Sequence, residues 1–184
     1  GGIREIPFCL PELDAHLGGM SCGDLCIVGG DTSAGKSSTA LLMALEQAKR
    51  GLKPAIISCE DPRDRWGGRI VSMLSGVPIR AIRTGRTSDW QGEAIEVGYG
   101  RAKTLTVEMA YTVGEDLDTI VDATRHLIQE RGCNIIILDY LQTIIVPRTE
   151  SRREQIRLIL SRFKRELNRP GVEAAGIALS QFRK

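Results

Sequence analysis

The segment at residues 30–37, GDTSAGKS, matches the pattern G-x-x-x-x-G-K-[ST] and constrains the fold more than any other part of the chain. Gly30 and Gly35 let the backbone curl so that successive N–H groups point inward at a phosphate. Lys36 places an ammonium group between the outer phosphates, and the Ser37 hydroxyl is positioned to ligate Mg²⁺. The predicted nucleotide-binding residues of this loop are Gly30, Asp31, Thr32, Ser33, Ala34, Gly35, Lys36, Ser37 and Ser38.

The residues on either side of this loop fit the setting that a phosphate-binding loop requires. Residues 24–28 (DLCIV) predict a short buried strand, and residues 38–50 (STALLMALEQAKR) predict a helix that Gly51 ends. That helix directs its positive end at the same anion. A glycine-rich turn with an incidental lysine is the alternative, and the order of strand, loop and helix disfavours it.

The composition predicts one globular domain and limits its partners. A chain of 184 residues can bury a core, and 42% hydrophobic with 26% charged residues is typical of a folded protein. Aromatic residues make up 4%, which argues against a surface that binds nucleic acid mainly by base stacking. The net charge of +2 neither requires nor excludes a polyanionic partner.

The cysteines and the hydropathy pattern indicate a reducing compartment. The five cysteines lack the spacing of a metal site, so we interpret them as small, mostly buried side chains: Cys9, Cys22, Cys26, Cys59 and Cys133. The chain shows no signal peptide and no apolar stretch of about 18 residues. We therefore expect a soluble, cytoplasmic protein with no membrane contact.

Apolar runs alternate with helical patterns along the rest of the chain. Strands are predicted at residues 55–58, 105–107, 135–138 and 175–179, and helices at 62–75, 116–131 and 151–168. The run at 135–138 is apolar on both faces, as at the centre of a parallel sheet. Residues 84–100, rich in Gly, Thr and Ser, predict a surface excursion. The alternation predicts an α/β fold with a mostly parallel sheet and helices on both faces.

Three polar residues follow predicted strands. Asp139 ends the run at 135–138, where a carboxylate can hold the water shell of Mg²⁺ unless it is a turn residue. Glu60 either activates water for hydrolysis or is a solvated acid in the charged segment after its strand. Gln181 either bonds the γ-phosphate or the attacking water, or is an ordinary loop residue. Spacing alone leaves the roles of Glu60 and Gln181 open.

A basic segment, PRTESRR at residues 147–153, follows the strand that ends at Asp139. Its arginines, in a loop, could contact the phosphates of a nucleic acid. The alternative is a solvated helix N-terminus, which charge alone favours. The arginines concerned are Arg148, Arg152 and Arg153.

Taken together, these segments resemble the C-terminal motor domain of the DnaB-like replicative helicases, in the RecA-like ATPase superfamily. The most specific elements are the phosphate loop and the sequence ILDYLQ at residues 137–142. Residues 8–23 resemble the family's lead-in, residues 57–60 (ISCE) its strand ending in a catalytic glutamate, and residues 178–181 (ALSQ) its sensor strand. Arg69 matches an arginine at the family's nucleotide site.

The resemblance implies a RecA-like P-loop NTPase fold of three layers, αβα, as a single domain over residues 1–184 that lacks the family's C-terminal strands. It implies an ATP-dependent DNA helicase motor with ATP and Mg²⁺ as ligands. Expected partners are single-stranded DNA, other copies in a homo-hexamer, and a primase or a helicase loader. The expected setting is the cytoplasm of a bacterial or phage-infected cell.

The resemblance also implies roles for particular residues. The implied catalytic residues are Glu60, Lys36 and Gln181. The implied Mg²⁺ ligands are Ser37 and Asp139. The implied DNA contacts are Arg148, Arg152 and Arg153.

A RecA-like ATPase that is not a helicase is the alternative, for example a recombinase, a KaiC-like switch or a nucleotide-gated loader module. The pair Glu60-Asp61 keeps it open, because recombinases more often carry two adjacent acidic residues there. The sequences DYLQ and ALSQ favour the helicase.

Overall fold

A computed structural model of the chain describes residues 5–147, 149 and 151–182. The strands are β1 (Leu25–Gly30), β2 (Pro54–Ser58), β3 (Glu108–Tyr111), β4 (Ile135–Asp139) and β5 (Ala175–Gln181). The helices are α1 (Pro11–Leu17), α2 (Lys36–Lys49), α3 (Arg63–Ser75), α4 (Ile79–Thr84), α5 (Asp89–Thr104), α6 (Leu117–Gln129) and α7 (Arg152–Leu167). Two compact units result: a helical unit, Asp61–Thr106, and a sheet unit formed by the residues before and after it.

The sheet unit is built on a parallel sheet with the strand order β1-β5-β4-β2-β3. Every residue of β4 is buried, because its neighbours β5 and β2 flank it and helices cover both faces. Ile136 and Leu138 pack in one cluster with α6 and α7, so Ile135 and Ile137 face the opposite side. The buried residues of α2 lie outside that cluster, and α2 contacts β1 and β2. The predicted three-layer α/β fold is confirmed.

The helices of the sheet unit begin at side chains that cap them. Asp116 accepts a hydrogen bond from the Thr119 amide at 3.0 Å at the start of α6. Ser151 accepts one from the Glu154 amide at 3.2 Å at the start of α7. Each cap satisfies a donor that the first helical turn leaves unpaired. The helices predicted at 116–131 and 151–168 are confirmed within two residues at each end.

Strand β3 lies later in the chain than the sequence pattern indicates. The alternation at 105–107 predicts a strand there, but Leu105 caps the end of α5 and the strand is Glu108–Tyr111. The pairing with β2 sets the register, since Ala55 lies opposite Glu108 and Ser58 opposite Tyr111. Ladder hydrogen bonds to β2 therefore decide the position of β3, and the local alternation does not.

The helical unit contains a helix where the sequence predicts a surface excursion. Residues 89–104 form α5, which a capping box starts: the Ser88 amide donates to Gln91 Oε1 at 3.0 Å. Within α5, Gly98 packs so close to α3 that an added Cβ would lie 2.9 Å from Ser75 Cβ. Gly98, one of the glycines that indicate a loop in the sequence, thus lies where two helices contact each other. The predicted α3 forms despite Gly67 and Gly68.

The lead-in segment folds as a short helix that the sequence patterns do not predict. Pro11 starts α1, and the Phe8 amide donates to Asp14 Oδ1 at 2.7 Å. Gln47 of α2 donates to the Pro7 carbonyl at 2.8 Å, which fastens the segment to the sheet unit.

Of the helices in the described ranges, none combines the length and apolarity needed to cross a bilayer.

A buried carboxylate, Glu166, joins α6 to α7. Arg125 donates to both Glu166 oxygens at 3.2 and 3.3 Å, and Arg169 donates at 2.9 Å. Burial raises the pKa of Glu166, but the hydrogen bonds from the two guanidinium groups outweigh burial and hold the pKa below its usual value. The folded state therefore favours the ionised carboxylate.

We expect Glu166→Gln to lower the free energy of unfolding by about 1–2 kcal/mol at neutral pH, since hydrogen bonds to a charged group contribute on this order and the arginines keep part of their hydration. The folded pKa is the lower one, so the stabilisation is present above the unfolded value of 4.5 and is lost as pH falls through the folded pKa. Urea unfolding at neutral pH and near pH 3 measures the difference, which should shrink in acid.

A matched control for Glu166→Gln is Asp122→Asn. Asp122 pairs with the same Arg125 at 2.9 Å, but its side chain is 73% exposed. An exposed pair contributes little, so we expect no marked change at either pH. An equal loss of stability at both pH values in Glu166→Gln would contradict the role of the ionised carboxylate.

Candidate nucleotide site

The loop between β1 and α2 is shaped to hold an anion. Ser33 and Gly35 adopt positive φ, at 63° and 86°, and such alternation turns successive N–H groups toward one concavity. Among the bonds of the described residues, the amides of Ser33, Gly35 and Lys36 donate to no backbone or side-chain acceptor. These donors lie at the N-terminus of α2, where the helix dipole favours negative charge.

Lys36 lies inside the curve of this loop. Its Nζ donates to the carbonyl oxygens of Gly30 at 3.0 Å and Asp31 at 2.8 Å. An ammonium group held by two carbonyl oxygens can exchange them for the oxygens of a phosphate. Ser37 is half-buried in the first turn of α2, and Ser38 lies beside it. The residues present therefore fit a nucleotide phosphate chain.

The strand order brings the other predicted residues to the same edge of the sheet. Gln181, the last residue of β5, lies opposite Gly30 of β1. Asp139, the last residue of β4, lies opposite Ser58 of β2. Parallel strands bind ligands at their carboxyl ends, so the phosphate loop, Gln181 and Asp139 follow one another along that edge.

Asp139 and Glu60 are linked through the backbone at the end of β2. The Cys59 amide donates to the Asp139 carbonyl at 2.7 Å, and Glu60 is the next residue. Asp139 is buried, whereas Glu60 is exposed. On the other side, the Thr112 amide donates to the Ser58 carbonyl at 2.9 Å. The segment that carries Glu60 is thus fixed from both neighbouring strands.

Cys59, the residue directly after β2, carries a buried thiol. Burial is the largest cause that raises the pKa of Cys59 to about 12; the hydrogen bond from Thr112 lowers the pKa, and the negative charge of Asp139 raises it. Cys59 is therefore protonated at neutral pH.

Gln181 contacts the phosphate loop directly. Its side-chain amide donates to Thr32 Oγ1, while its backbone N–H and C=O both bond to the side chain of Gln142. Sequence spacing assigns Gln142 no role. The signal that could have found it is a polar side chain three residues beyond the buried β4, within DYLQ.

Arg69 lies in the helical unit, where it is engaged by its neighbours. It forms an ion pair with Asp61 at 2.6 Å and lies over the Trp66 ring, with its guanidinium carbon 5.2 Å from the centroid. Arg65 donates to the same carboxylate at 2.7 Å. Asp61, which follows Glu60 in the sequence, is thus buried between two arginines. The role of Arg69 toward a nucleotide stays a prediction.

The predicted loop position of two arginines is wrong. Arg152 and Arg153 lie in the first turn of α7, because Ser151 caps the helix directly before them. Arg152 Nη2 donates to the Gln142 carbonyl at 2.8 Å, and both arginines are exposed. Arg148 lies outside the described residues. Contact with DNA stays a prediction for all three.

The strand order, the phosphate loop and the acids at the adjacent strand ends define a P-loop NTPase of the RecA-like class. Residues 6–184 match the family model described as DnaB-like helicase C terminal domain. The chain belongs to this family. Its predicted membership is therefore confirmed over nearly the whole chain.

Similar proteins from two bacteria agree with this family assignment. The chain is 29% identical to the replicative DNA helicase DnaB of Leifsonia xyli subsp. xyli over 99% of its length, and 30% identical to DnaB of Geobacillus stearothermophilus over 99%. It covers 40% of each of those relatives.

The fold matches two solved structures closely. One is an ATPase domain, which aligns over 100% of the chain and 66% of its own length, with a TM-score of 0.86 at 21% identity. The other is a DnaB-like replicative helicase, described with its interactions with primase. It aligns over 100% of the chain and 45% of its own, with a TM-score of 0.87 at 21% identity. At this identity the likeness shows the fold.

Proposed function

We propose that the chain is the ATP-hydrolysing motor of a DNA helicase and that it turns hydrolysis into movement along single-stranded DNA. The observation that carries this proposal is the line of the phosphate loop, Gln181 and Asp139 along adjacent strand ends. The family match supports a helicase over a recombinase or a KaiC-like switch. The relatives named as replicative helicases support a role in DNA replication.

The chain's own residues divide the chemistry between them. The loop amides and Lys36 bind and orient the phosphates, and Ser37 with Asp139 would hold Mg²⁺. When bound, Mg²⁺ neutralises negative charge on the phosphates. Among the described residues, no group of three His, Cys, Asp or Glu side chains could hold a metal alone, so phosphate and water oxygens would complete its shell. Glu60 would take the proton from the attacking water.

The proposal extends to the assembly. By the family resemblance we expect a ring-shaped homo-hexamer with ATP sites between subunits and with a primase or helicase loader as partner. The DnaB-like helicase that was solved with its interactions with primase supports a primase as that partner. The expected setting is the cytoplasm of a bacterial or phage-infected cell.

Strand displacement by the full protein that contains this chain tests the proposed function. A forked DNA substrate should be unwound with ATP and should stay paired with a non-hydrolysable analogue. ATP hydrolysis that DNA stimulates, without any strand displacement, would instead favour a switch or loader module. Absence of both nucleotide binding and hydrolysis would overturn the proposal.

We expect the Arg148, Arg152 and Arg153 triple change to alanine to flatten the salt dependence of single-stranded DNA binding by up to about 2 units, at about 0.7 per phosphate contact. Binding should be independent of sequence, because phosphate contacts carry no sequence information. Filter binding or fluorescence anisotropy at several salt concentrations measures the slope. Basal ATP turnover should stay near that of the parent while stimulation by DNA falls.

Single changes separate DNA contact from helix structure. Arg152→Ala also removes the bond to Gln142, so Arg153→Ala is the cleaner variant, with an expected change of about 0.7 units. Arg165→Ala is the matched control, since Arg165 lies near the other end of α7. An unchanged slope in the triple variant would contradict the DNA contact and leave Arg152 and Arg153 as part of a solvated helix start.

A further inference from the structure

The side chain of Gln142 takes the place of a strand beside the end of β5. Strand β4 pairs with β5 only as far as Leu138 opposite Ala178, whereas β5 continues to Gln181. At that point the Gln181 amide donates to Gln142 Oε1 at 3.0 Å, and Gln142 Nε2 donates to the Gln181 carbonyl at 3.0 Å. A carboxamide has the same donor and acceptor as a peptide group, so Gln142 continues the ladder that β4 leaves.

A third bond fixes the carboxamide in this orientation. Gln142 Nε2 also donates to Ser180 Oγ at 2.8 Å. On its other side, β5 is held by β1, since the Phe182 amide donates to the Gly30 carbonyl at 3.0 Å. Gln181 is therefore clamped between the phosphate loop strand and Gln142, and its side chain reaches Thr32 of the phosphate loop.

The backbone of Gln142 faces a different element. Its carbonyl accepts from Arg152 Nη2 at 2.8 Å, and Gln155 Nε2 donates to the nearby Ile144 carbonyl at 3.4 Å. Both donors lie in the first turns of α7. One residue thus contacts the sensor strand through its side chain and the start of α7 through its backbone.

We propose that Gln142 is a positioning residue that holds Gln181 against the phosphate loop and transmits its position to the start of α7. The proposal rests on the proposed function, because it assigns Gln181 a part in ATP hydrolysis and Arg152 a part in the response to DNA. Gln142 acts through Gln181 and touches no nucleotide itself. A rearrangement at the phosphate loop would pass through Thr32, Gln181 and Gln142 to Arg152.

Hydrogen exchange at the Gln181 amide tests the clamp without requiring enzymatic activity. In the full protein, Gln142→Met keeps the side-chain length and removes all three bonds, so exchange at Gln181 should accelerate at least about tenfold. Gln142→Glu keeps the acceptor and loses the donor, so its exchange should be intermediate. Gln129→Met is the matched control, because Gln129 lies at the end of α6, away from this edge of the sheet.

Turnover tests whether the clamp serves hydrolysis. Gln142→Met should lower kcat about tenfold and remove most of the stimulation by single-stranded DNA, while nucleotide Kd stays within about twofold because the phosphate loop is untouched. In a Gln181→Met background, the same change should lower kcat by less than about twofold more, since both act through one side chain.

Each outcome decides part of the proposal. Unchanged exchange at Gln181 in Gln142→Met would overturn the clamp, and if that variant does not fold, Gln142→Glu gives the same test. Faster exchange with parental kcat and parental DNA stimulation would overturn the coupling. Parent protein without any ATP hydrolysis would contradict the proposed function instead, and the exchange result would still decide whether Gln142 holds Gln181.

Discussion

Lys36→Ala should lower the rate of nucleotide hydrolysis by at least about 10²–10³-fold and leave the fold intact. The expected loss is that of a charged donor aimed at the phosphates where negative charge develops. The fold should survive because Lys36 Nζ bonds only to the loop carbonyls of Gly30 and Asp31 among the described residues, and because alanine is the best helix former. ATPase and nucleotide-binding assays on the full protein measure the effect, with circular dichroism for the fold.

The other end of the same helix offers a control for this change. Lys49 is exposed in the last turn of α2 and pairs with Glu46 at 2.5 Å. Lys49→Ala removes the same charge from the same helix, and hydrolysis should stay at the parental level. Hydrolysis within twofold of the parent in Lys36→Ala would remove the phosphate-binding assignment.

The parts of the fold that the sequence predicts well are those that local chemistry determines. Strand β4 is apolar on both faces, so it can only lie at the centre of a covered sheet. The helices α6 and α7 carry apolar residues at helical spacing and begin at capping residues, Asp116 and Ser151. The phosphate loop needs glycine and a following helix, and the sequence shows both in that order.

The parts that the sequence predicts badly depend on tertiary contacts. The alternation at 105–107 is as regular as a strand, but pairing with β2 selects Glu108–Tyr111. The Gly-rich segment before Gly100 indicates a loop, yet Gly98 is required where α3 and α5 approach each other. Neither contact leaves a mark in the local sequence.

The candidate site also has parts that the sequence predicts and parts that it does not. Position after a strand is enough to place Asp139, Glu60 and Gln181 at one edge of the sheet, because parallel strands end there; their roles stay predictions. Spacing does not select Gln142, because its contact with Gln181 arises where β4 ends before β5 does.

The side chain of Glu60 contributes little to holding the fold together. The side chain of Glu60 is exposed. Its segment is held by backbone hydrogen bonds: the Cys59 amide donates to the Asp139 carbonyl, and the Ser58 carbonyl accepts from the Thr112 amide. Removing its charge should therefore leave the segment in place. Asp61, the neighbouring acid, is buried and paired with Arg65 and Arg69, so its charge serves the helical unit.

We expect Glu60→Gln to keep ATP and Mg²⁺ bound while turnover slows by about 10²-fold or more, the scale for removing a general base. The substitution preserves size and removes only the carboxylate that would accept the proton from water. Nucleotide Kd and single-turnover hydrolysis on the full protein separate binding from chemistry. Asp61→Asn is the contrast, since it should lower stability by breaking a buried pair. Lower ATP affinity in Glu60→Gln with normal turnover per bound ATP would make Glu60 structural and Asp61 the candidate base.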